Sequence, residues 1–131
     1  MADCGMKWWK NLEKLPWSDD LVEAILPLGE LAFLTSIGDH RENNKFSAGA
    51  AMGKVFWCNR WFPDIPLIMT HDKHFCAAPN AILIDDNAKK IAKFKKWGGN
   101  AFHWPSQYCF EDGDLSVEKY IEDLTKKIKI I

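Results

Sequence analysis

Four short apolar runs alternate with helical patterns along this chain of 131 residues, and that alternation limits the fold more than any other feature. The runs are Leu31–Ser36, Pro66–Thr70, Ala81–Asp85 and Asn100–Trp104. A continuous apolar run of this length is typical of a parallel strand that is buried on both faces. Strands that alternate with helices predict an α/β fold. We therefore expect a mostly parallel sheet of about four strands, flanked by helices, in a single domain over residues 1–131.

Helical patterns fill the intervals between the runs. The first helix is predicted to begin at Ser18 as its N-cap, and the second covers Ala48–Phe62. Asn87–Trp97 is amphipathic and ends at Gly98, because glycine adopts the left-handed conformation that closes a helix. Asp114 is predicted to cap a last amphipathic helix.

The composition indicates a globular chain without an obvious polyanionic partner. Hydrophobic residues make up 47% and charged residues 27%, and the formal net charge is −1. A charge so close to zero gives no reason to expect nucleic acid or an anionic membrane as a partner. No run is long enough to predict a transmembrane helix, and Met1–Lys10 lacks the apolar core of a signal peptide. The four cysteines form no C-x-x-C pair, so we interpret them as reduced thiols of a cytoplasmic protein.

Polar residues follow two of the predicted strands, and ligands of α/β sheets bind at the carboxyl ends of the strands. The first strand ends in Thr35 and Ser36, whose hydroxyl groups can bind a phosphate oxygen; the alternative is an ordinary turn after a strand. The third ends in Asp85 and Asp86. Adjacent carboxylates repel each other unless a cation lies near them, and Mg²⁺ prefers such oxygen ligands. The alternative is a solvated loop in which Asp86 or Asn87 caps the next helix.

Two lysines could offset the charge of a bound phosphate. Lys54 follows Gly53 in the second predicted helix, and Lys73 lies just beyond the second strand. The alternative for each is a surface lysine with no ligand. The remaining lysines of interest are interpreted as the solvated face of one helix: Lys89, Lys90, Lys93, Lys95 and Lys96.

Five motifs occur in a fixed order along the chain. They are Phe33-Leu-Thr-Ser-Ile37, Gly53-Lys54-x-x-Trp57, Thr70-His-Asp-Lys73, Ile82-Leu-Ile-Asp-Asp-Asn87 and Gly98-Gly-Asn-Ala-Phe102. In this order they resemble the 5'(3')-deoxyribonucleotidase branch of the haloacid-dehalogenase-type phosphatases. The resemblance covers the chain from about Trp8 to Trp104.

The resemblance implies a Rossmann-like, haloacid-dehalogenase-like fold and a phosphatase-like function on nucleoside monophosphates. It implies that Thr35 and Ser36 bind phosphate and that Asp85 and Asp86 hold Mg²⁺. Lys73 would be the catalytic lysine that offsets charge on the phosphate. We prefer it to Lys54, which is then a further phosphate-binding residue, because Lys73 follows a strand and lies twelve positions before Asp85.

One motif of the family has no counterpart before Trp8: an apolar strand that ends in Asp-x-Asp and carries the attacking carboxylate. In the family this strand is central. We therefore expect a domain that is truncated at its N-terminus relative to the family and is inactive or incomplete as given. Either Leu31–Ser36 pairs directly with Ala81–Asp85, or a strand from a complementing chain or a second copy lies between them.

Three alternatives stay open at this point. The only Asp-x-Asp, Asp112-Gly-Asp114, could carry the nucleophile if Tyr108–Phe110 were a strand, as in a circular permutation. His71, His74 and Cys76 could contribute to a zinc site. The chain could also be a non-enzymatic binding or assembly module on the same fold.

Overall fold

The structure is a computed structural model that describes residues 7, 10–36 and 45–131. Its helices and strands follow one another in the alternating order that the apolar runs predict. In chain order they are α1 Ser18–Ile25, a 3-10 helix Leu26–Leu28, β1 Phe33–Thr35, α2 Lys45–Trp61, β2 Leu67–Met69, a 3-10 helix Lys73–Cys76, β3 Ile82–Asp85, α3 Ala88–Lys96, β4 Asn100–His103, α4 Gln107–Glu111 and α5 Val117–Lys129.

All four predicted strands are confirmed, and both strand pairs are parallel. β1 pairs with β2 and β3 pairs with β4, so the described residues form two two-stranded sheets. The mixed α/β class is therefore confirmed, and one sheet of about four strands stays a prediction. The pairing of β1 with β3, directly or through a strand of another chain, likewise stays a prediction.

β1 forms backbone hydrogen bonds to β2 along one of its two edges. The Phe33 N–H donates to the Pro66 carbonyl oxygen at 2.8 Å, and the Thr35 carbonyl oxygen accepts from the Thr70 N–H at 2.9 Å. Backbone groups of successive strand residues point to opposite edges. The N–H and C=O of Leu34 therefore point away from β2.

β3 has the same arrangement. The carbonyl oxygens of Ala81 and Asp85 accept hydrogen bonds from the chain at the two ends of β4, each at 2.9 Å. The backbone groups of Ile82 and Ile84 therefore point to the edge away from β4. An edge of this kind is a template on which a further strand can pair.

The chain divides into two compact units. The first comprises Met1–Lys14 and Leu31–Asp72, and the second comprises Leu15–Glu30 and Lys73–Ile131. In the first unit, Phe62 packs its ring against Phe33 and Trp57, with ring centroids 5.2 and 5.9 Å apart. These contacts place the aromatic end of α2 against β1.

The second unit contains most of the buried side chains. β3 and β4 carry Leu83 and Ala101 into its core, and α3 covers them with Ile91 and Phe94. Four rings form an aromatic cluster beside this sheet: Trp17, Trp104, Phe110 and Tyr120. The core around β3 holds the end of that strand in place.

The ends of two helices differ from the predictions. Ser18 is the first residue of α1, and the preceding Trp17 makes no side-chain cap. Asp114 does not cap α5: that residue is Ser116, whose hydroxyl accepts a hydrogen bond from the Lys119 N–H at 3.3 Å. The chain makes a left-handed turn at Gly113, with φ 77°, and bends at Asp114 and Leu115, so Ser116 is the first residue with the extended backbone of an N-cap.

The end of α3 agrees with the prediction. α3 ends at Lys96, and Gly98 has φ 94°, a conformation that favours glycine. A side chain at the next residue, Gly99, would collide with the ring of Phe94. No helix in the described ranges is long and apolar enough to cross a membrane.

Candidate functional site

A buried ion pair lies at the carboxyl end of β3. Lys73 begins its 3-10 helix and directs Nζ at Oδ2 of Asp85, 2.7 Å away. The two side chains are only 11% and 8% exposed. The apolar residues of β3 and the short helix after Asp72 thus bring together two residues that are twelve positions apart in the sequence. Both belong to the second unit.

The second carboxylate oxygen of Asp85 is also bonded. Oδ1 accepts a hydrogen bond from the Asn87 N–H at 3.0 Å. Partial burial alone would raise the pKa of Asp85, but the hydrogen bonds from Lys73 and Asn87 and the charge of Lys73 together hold that pKa below its usual value. Asp85 is therefore an ionised, fixed carboxylate at neutral pH.

Asn87 begins the helix that follows the site. Its Oδ1 accepts hydrogen bonds from the N–H groups of Lys89 and Lys90, at 3.0 and 3.2 Å, so Asn87 is the N-cap of α3. One alternative raised by the sequence, a cap at this position, is thereby confirmed for Asn87. The side chain of Asp86 is exposed, and its carbonyl oxygen accepts a hydrogen bond from His103 Nε2 at 2.9 Å.

Replacing Asn87 with alanine is expected to lower the free energy of unfolding by about 1 kcal/mol, because two N–H groups of α3 lose their acceptor. Urea unfolding followed by tryptophan fluorescence measures this change. Asn87→Ser is the matched control, since serine caps helices about as well as asparagine. Equal midpoints for the alanine and serine variants would show that the cap contributes nothing.

Lys90 differs from the other lysines of α3, and the sequence did not single it out. The other lysines of α3 are exposed, whereas Lys90 is partly buried. That burial lowers the pKa of Lys90, the positive charge of Lys73 lowers it further, and the charges of Asp85 and Asp86 act in the opposite direction. The interpretation of all five lysines as a solvated face is wrong for Lys90.

The first unit holds the other predicted site residues. Thr35 ends β1, and Lys54 of α2 donates a hydrogen bond from Nζ to the carbonyl oxygen of Ser36. The structure thus brings Lys54 to the end of β1, as the phosphate-binding hypothesis requires. The convergence of this group with Lys73, Asp85 and Asp86 stays a prediction.

The magnesium site at the end of β3 stays a prediction. Asp85 and Asp86 offer carboxylate oxygens, and Mg²⁺ is usually held by one or two carboxylates together with water and phosphate oxygens. No group of three or more His, Cys, Asp or Glu side chains that could hold a metal occurs in the part of the chain that the structure describes. The zinc alternative therefore has no assembled ligand set there; His74 instead packs against the rings of Phe75 and Trp97.

The alternative nucleophile at Asp112-Gly-Asp114 is not at the end of a strand. Tyr108–Phe110 lies inside the helix α4, so the alternative of a strand there is wrong. Phe110 packs against Trp17 and Trp104, with ring centroids 6.3 and 5.7 Å apart. Helical geometry puts Phe110 into the aromatic cluster, and this packing overrides the strand preference of the aromatic residues.

The motif order is the only link between this chain and a known family. No family model, curated protein or solved structure matches the chain. The resemblance to deoxyribonucleotidases thus depends on the five motifs alone. Among their site residues in the second unit, Lys73 and Asp85 are in direct contact.

Proposed function

We propose that this chain is a phosphatase-like domain that binds phosphate and nucleoside monophosphates together with Mg²⁺, on a Rossmann-like fold of the haloacid-dehalogenase type. The observation that supports the proposal best is the ion pair between Lys73 and Asp85 at the end of β3, 2.7 Å long and largely buried. Surface lysines rarely hold one carboxylate in this way, because exposed ion pairs gain little. A fixed lysine beside two carboxylates is what a site for a metal and a phosphate needs.

In this proposal each side chain has a defined task. Asp85 and Asp86 would hold Mg²⁺, which supplies positive charge against the phosphate oxygens when it is bound. Asp85 also orients Lys73, whose ammonium group has three N–H donors and uses one of them for Asp85. The other donors of Lys73 are available to a phosphate oxygen, so Lys73 offsets the charge of the ligand.

The first unit holds further residues to which the resemblance gives a task. The resemblance assigns phosphate binding to the hydroxyl groups of Thr35 and Ser36 and to Lys54. The hydrogen bond from Lys54 to the Ser36 carbonyl supports this assignment, since it fixes a cation at the end of β1. A cytoplasmic location is part of the proposal, because Cys58, Cys76 and Cys109 are free thiols.

Turnover by the purified chain is expected to be negligible. The resemblance assigns the attack on phosphorus to the first aspartate of a strand-end Asp-x-Asp, and the one Asp-x-Asp of this sequence follows a helix. Loss of a covalent nucleophile costs about 10⁴ to 10⁶ in turnover. Phosphate release from deoxynucleoside monophosphates with Mg²⁺ is the measurement, with Asp85→Asn beside the parent chain.

Two outcomes would contradict these proposals. The first is turnover of about one per second by the parent chain that is lost in Asp85→Asn. Such a result would show that the chain contains a nucleophile, and Asp112→Asn would be the next variant to measure. Failure to bind inorganic phosphate by calorimetry, with and without Mg²⁺, would remove the binding proposal itself. A stable oligomer in that second case would favour the assembly module.

A further inference from the structure

The exposed side of α3 carries positive charge without partner carboxylates. Four lysines of this helix are exposed, and α3 contains no acidic residue: they are Lys89, Lys93, Lys95 and Lys96. In the part of the chain that the structure describes, no ion pair within 4 Å holds any of them. Lys89, Lys93 and Lys96 follow one another at helical spacing, so they form one row along the helix. α3 therefore presents a basic surface to solvent.

Two exposed aromatic rings lie at the end of this row. Trp97, directly after α3, is 50% exposed and Phe75 is 71% exposed, and their ring centroids are 5.3 Å apart. Trp97 comes four residues after Lys93, so the two lie on the same side of the helix. Neighbouring apolar side chains that are exposed mark interaction sites, and tryptophan often contributes much of the binding energy. We call these two rings, together with Lys89, Lys93 and Lys96, the basic face.

A groove of the opposite charge lies between α1 and α5. Its apolar lining consists of the half-buried residues Ala24, Val117 and Ile121. Four exposed acidic residues complete the lining: Asp20, Glu23, Glu118 and Glu122. Glu122 already pairs with Lys126 at 3.0 Å, whereas no cation lies within 4 Å of the other three carboxylates in the described ranges. This acidic groove thus fits an aromatic side chain that lysines surround.

The basic face and the acidic groove lie on opposite sides of the layer formed by β3 and β4. A side chain at Gly99, which directly precedes β4, would meet the ring of Phe94 in α3. Phe102 instead packs against Tyr120 of α5, with ring centroids 6.2 Å apart. Successive strand residues point to opposite faces, so positions 99 and 102 face different sides. The basic face therefore cannot reach the groove of its own chain and can meet only that of another copy.

We propose that the basic face docks into the acidic groove of a second copy of this chain, so that copies associate head to tail. Such a contact joins two different surfaces, and the assembly keeps a free face at one end and a free groove at the other. The formal net charge of −1 lets copies approach with little overall repulsion, while the local charges align them.

The charge distribution favours a second copy over a long polyanion as the occupant of the basic face. α3 holds five of the 17 basic residues, so the rest of the chain has 12 basic and 18 acidic residues. That excess of acid repels nucleic acid and anionic membranes beyond the short helix. An acidic groove of matching size avoids this repulsion, because it covers only the helix and the two rings.

The test uses two variants of the full chain, each of which neutralises one surface. Lys93→Gln with Lys96→Gln changes the basic face, and Glu23→Gln with Glu118→Gln changes the acidic groove. All four side chains are exposed, so the substitutions should leave the fold intact. Sedimentation velocity at increasing protein concentration and low salt measures association. The parent chain should form dimers and larger species, and each variant should associate at least about tenfold more weakly.

An equal mixture of the two variants should form dimers that contain one copy of each. The variant with the neutral groove keeps its basic face, and the variant with the neutral face keeps its acidic groove. These dimers should not grow further, because the surfaces at their ends are neutralised. Raising the salt concentration from about 0.1 M to about 1 M should dissociate them, because it shortens the screening length from about 10 Å to about 3 Å.

Lys7→Gln with Lys129→Gln is the matched control, because it also removes two exposed positive charges but lies outside α3. It should associate like the parent chain. The proposal is wrong if the parent chain remains a monomer at every concentration, or if this control weakens association as much as Lys93→Gln with Lys96→Gln. A mixture of the two neutralised variants that forms no dimer would also overturn it. No measurement here involves phosphate, so the proposed function is tested separately.

Discussion

Asp85→Asn is expected to abolish the Mg²⁺-dependent binding of phosphate, with a loss of affinity of about 100-fold or more. The carboxylate has two tasks in the proposed site, because it would hold the metal and it positions Lys73 through the 2.7 Å ion pair. Asparagine keeps the shape of the side chain but offers one oxygen and no charge. Calorimetric titration with inorganic phosphate at saturating Mg²⁺ is the measurement.

The same substitution is expected to destabilise the fold by about 1 to 3 kcal/mol, because the Lys73 ammonium then lies buried without its charged partner. Asp86→Asn is the matched control: its side chain is exposed, so it should weaken metal binding with little change in the unfolding midpoint. An Asp85→Asn variant that binds phosphate and unfolds like the parent chain would disprove the proposed site.

Asp85 also predicts how stability depends on pH. Its pKa in the folded chain is below the ordinary value of 3.8, so the folded state holds the ionised form more firmly than the unfolded chain does. The stability from this group is therefore present above about pH 4 and is lost as the pH falls through the folded pKa. In Asp85→Asn that part of the acid dependence should disappear.

Trp104→Ala is expected to lower the free energy of unfolding by about 3 to 5 kcal/mol, the usual cost of deleting a buried aromatic side chain. Trp104 is 4% exposed and packs against Trp17, Phe110 and Tyr120, with ring centroids 5.2 to 5.9 Å away. The substitution leaves a cavity in the aromatic cluster. Urea unfolding followed by far-ultraviolet circular dichroism measures the loss.

Trp104→Phe is the matched control for that prediction. The buried Nε1 of Trp104 has no hydrogen-bond partner in the described part of the chain, so phenylalanine removes a polar group that is not satisfied. The variant should therefore lose much less stability than the alanine variant. Trp17 differs, because its Nε1 donates to Gln107 at 2.6 Å and Trp17→Phe would lose that bond. Equal losses for both substitutions of Trp104 would contradict this account.

The strands were predictable from the sequence, but their pairing was not. The run Ala81–Asp85 is apolar and short, and the structure forms β3 there at Ile82–Asp85. Such a run indicates that a strand is buried and does not indicate which strand lies beside it. Pairing depends on contacts between distant segments, and only the structure shows the pairs, β1 with β2 and β3 with β4.

The site was predictable to the same degree. Asp85 and Lys73 were identified because Asp85 ends one predicted strand and Lys73 follows another, and the structure brings them into contact. Lys90 was missed because the sequence of α3 repeats lysine so often that its pattern cannot tell which lysine faces other charges. That distinction arises only when the helix is packed against β3 and its neighbouring loop.

Hydrogen–deuterium exchange could detect a strand that adds to β3, because the backbone N–H groups of β3 point alternately to its two edges. Ile82 and Ile84 point their N–H groups away from β4, while the residues between them bond to it. A polypeptide segment that paired with the outer edge of β3 would slow exchange at Ile82 and Ile84 and leave the intervening amides nearly unchanged. A ligand that merely tightened the fold would slow exchange along the whole strand. A complementing strand therefore has a signature with a period of two residues, which can be recognised without knowing the partner.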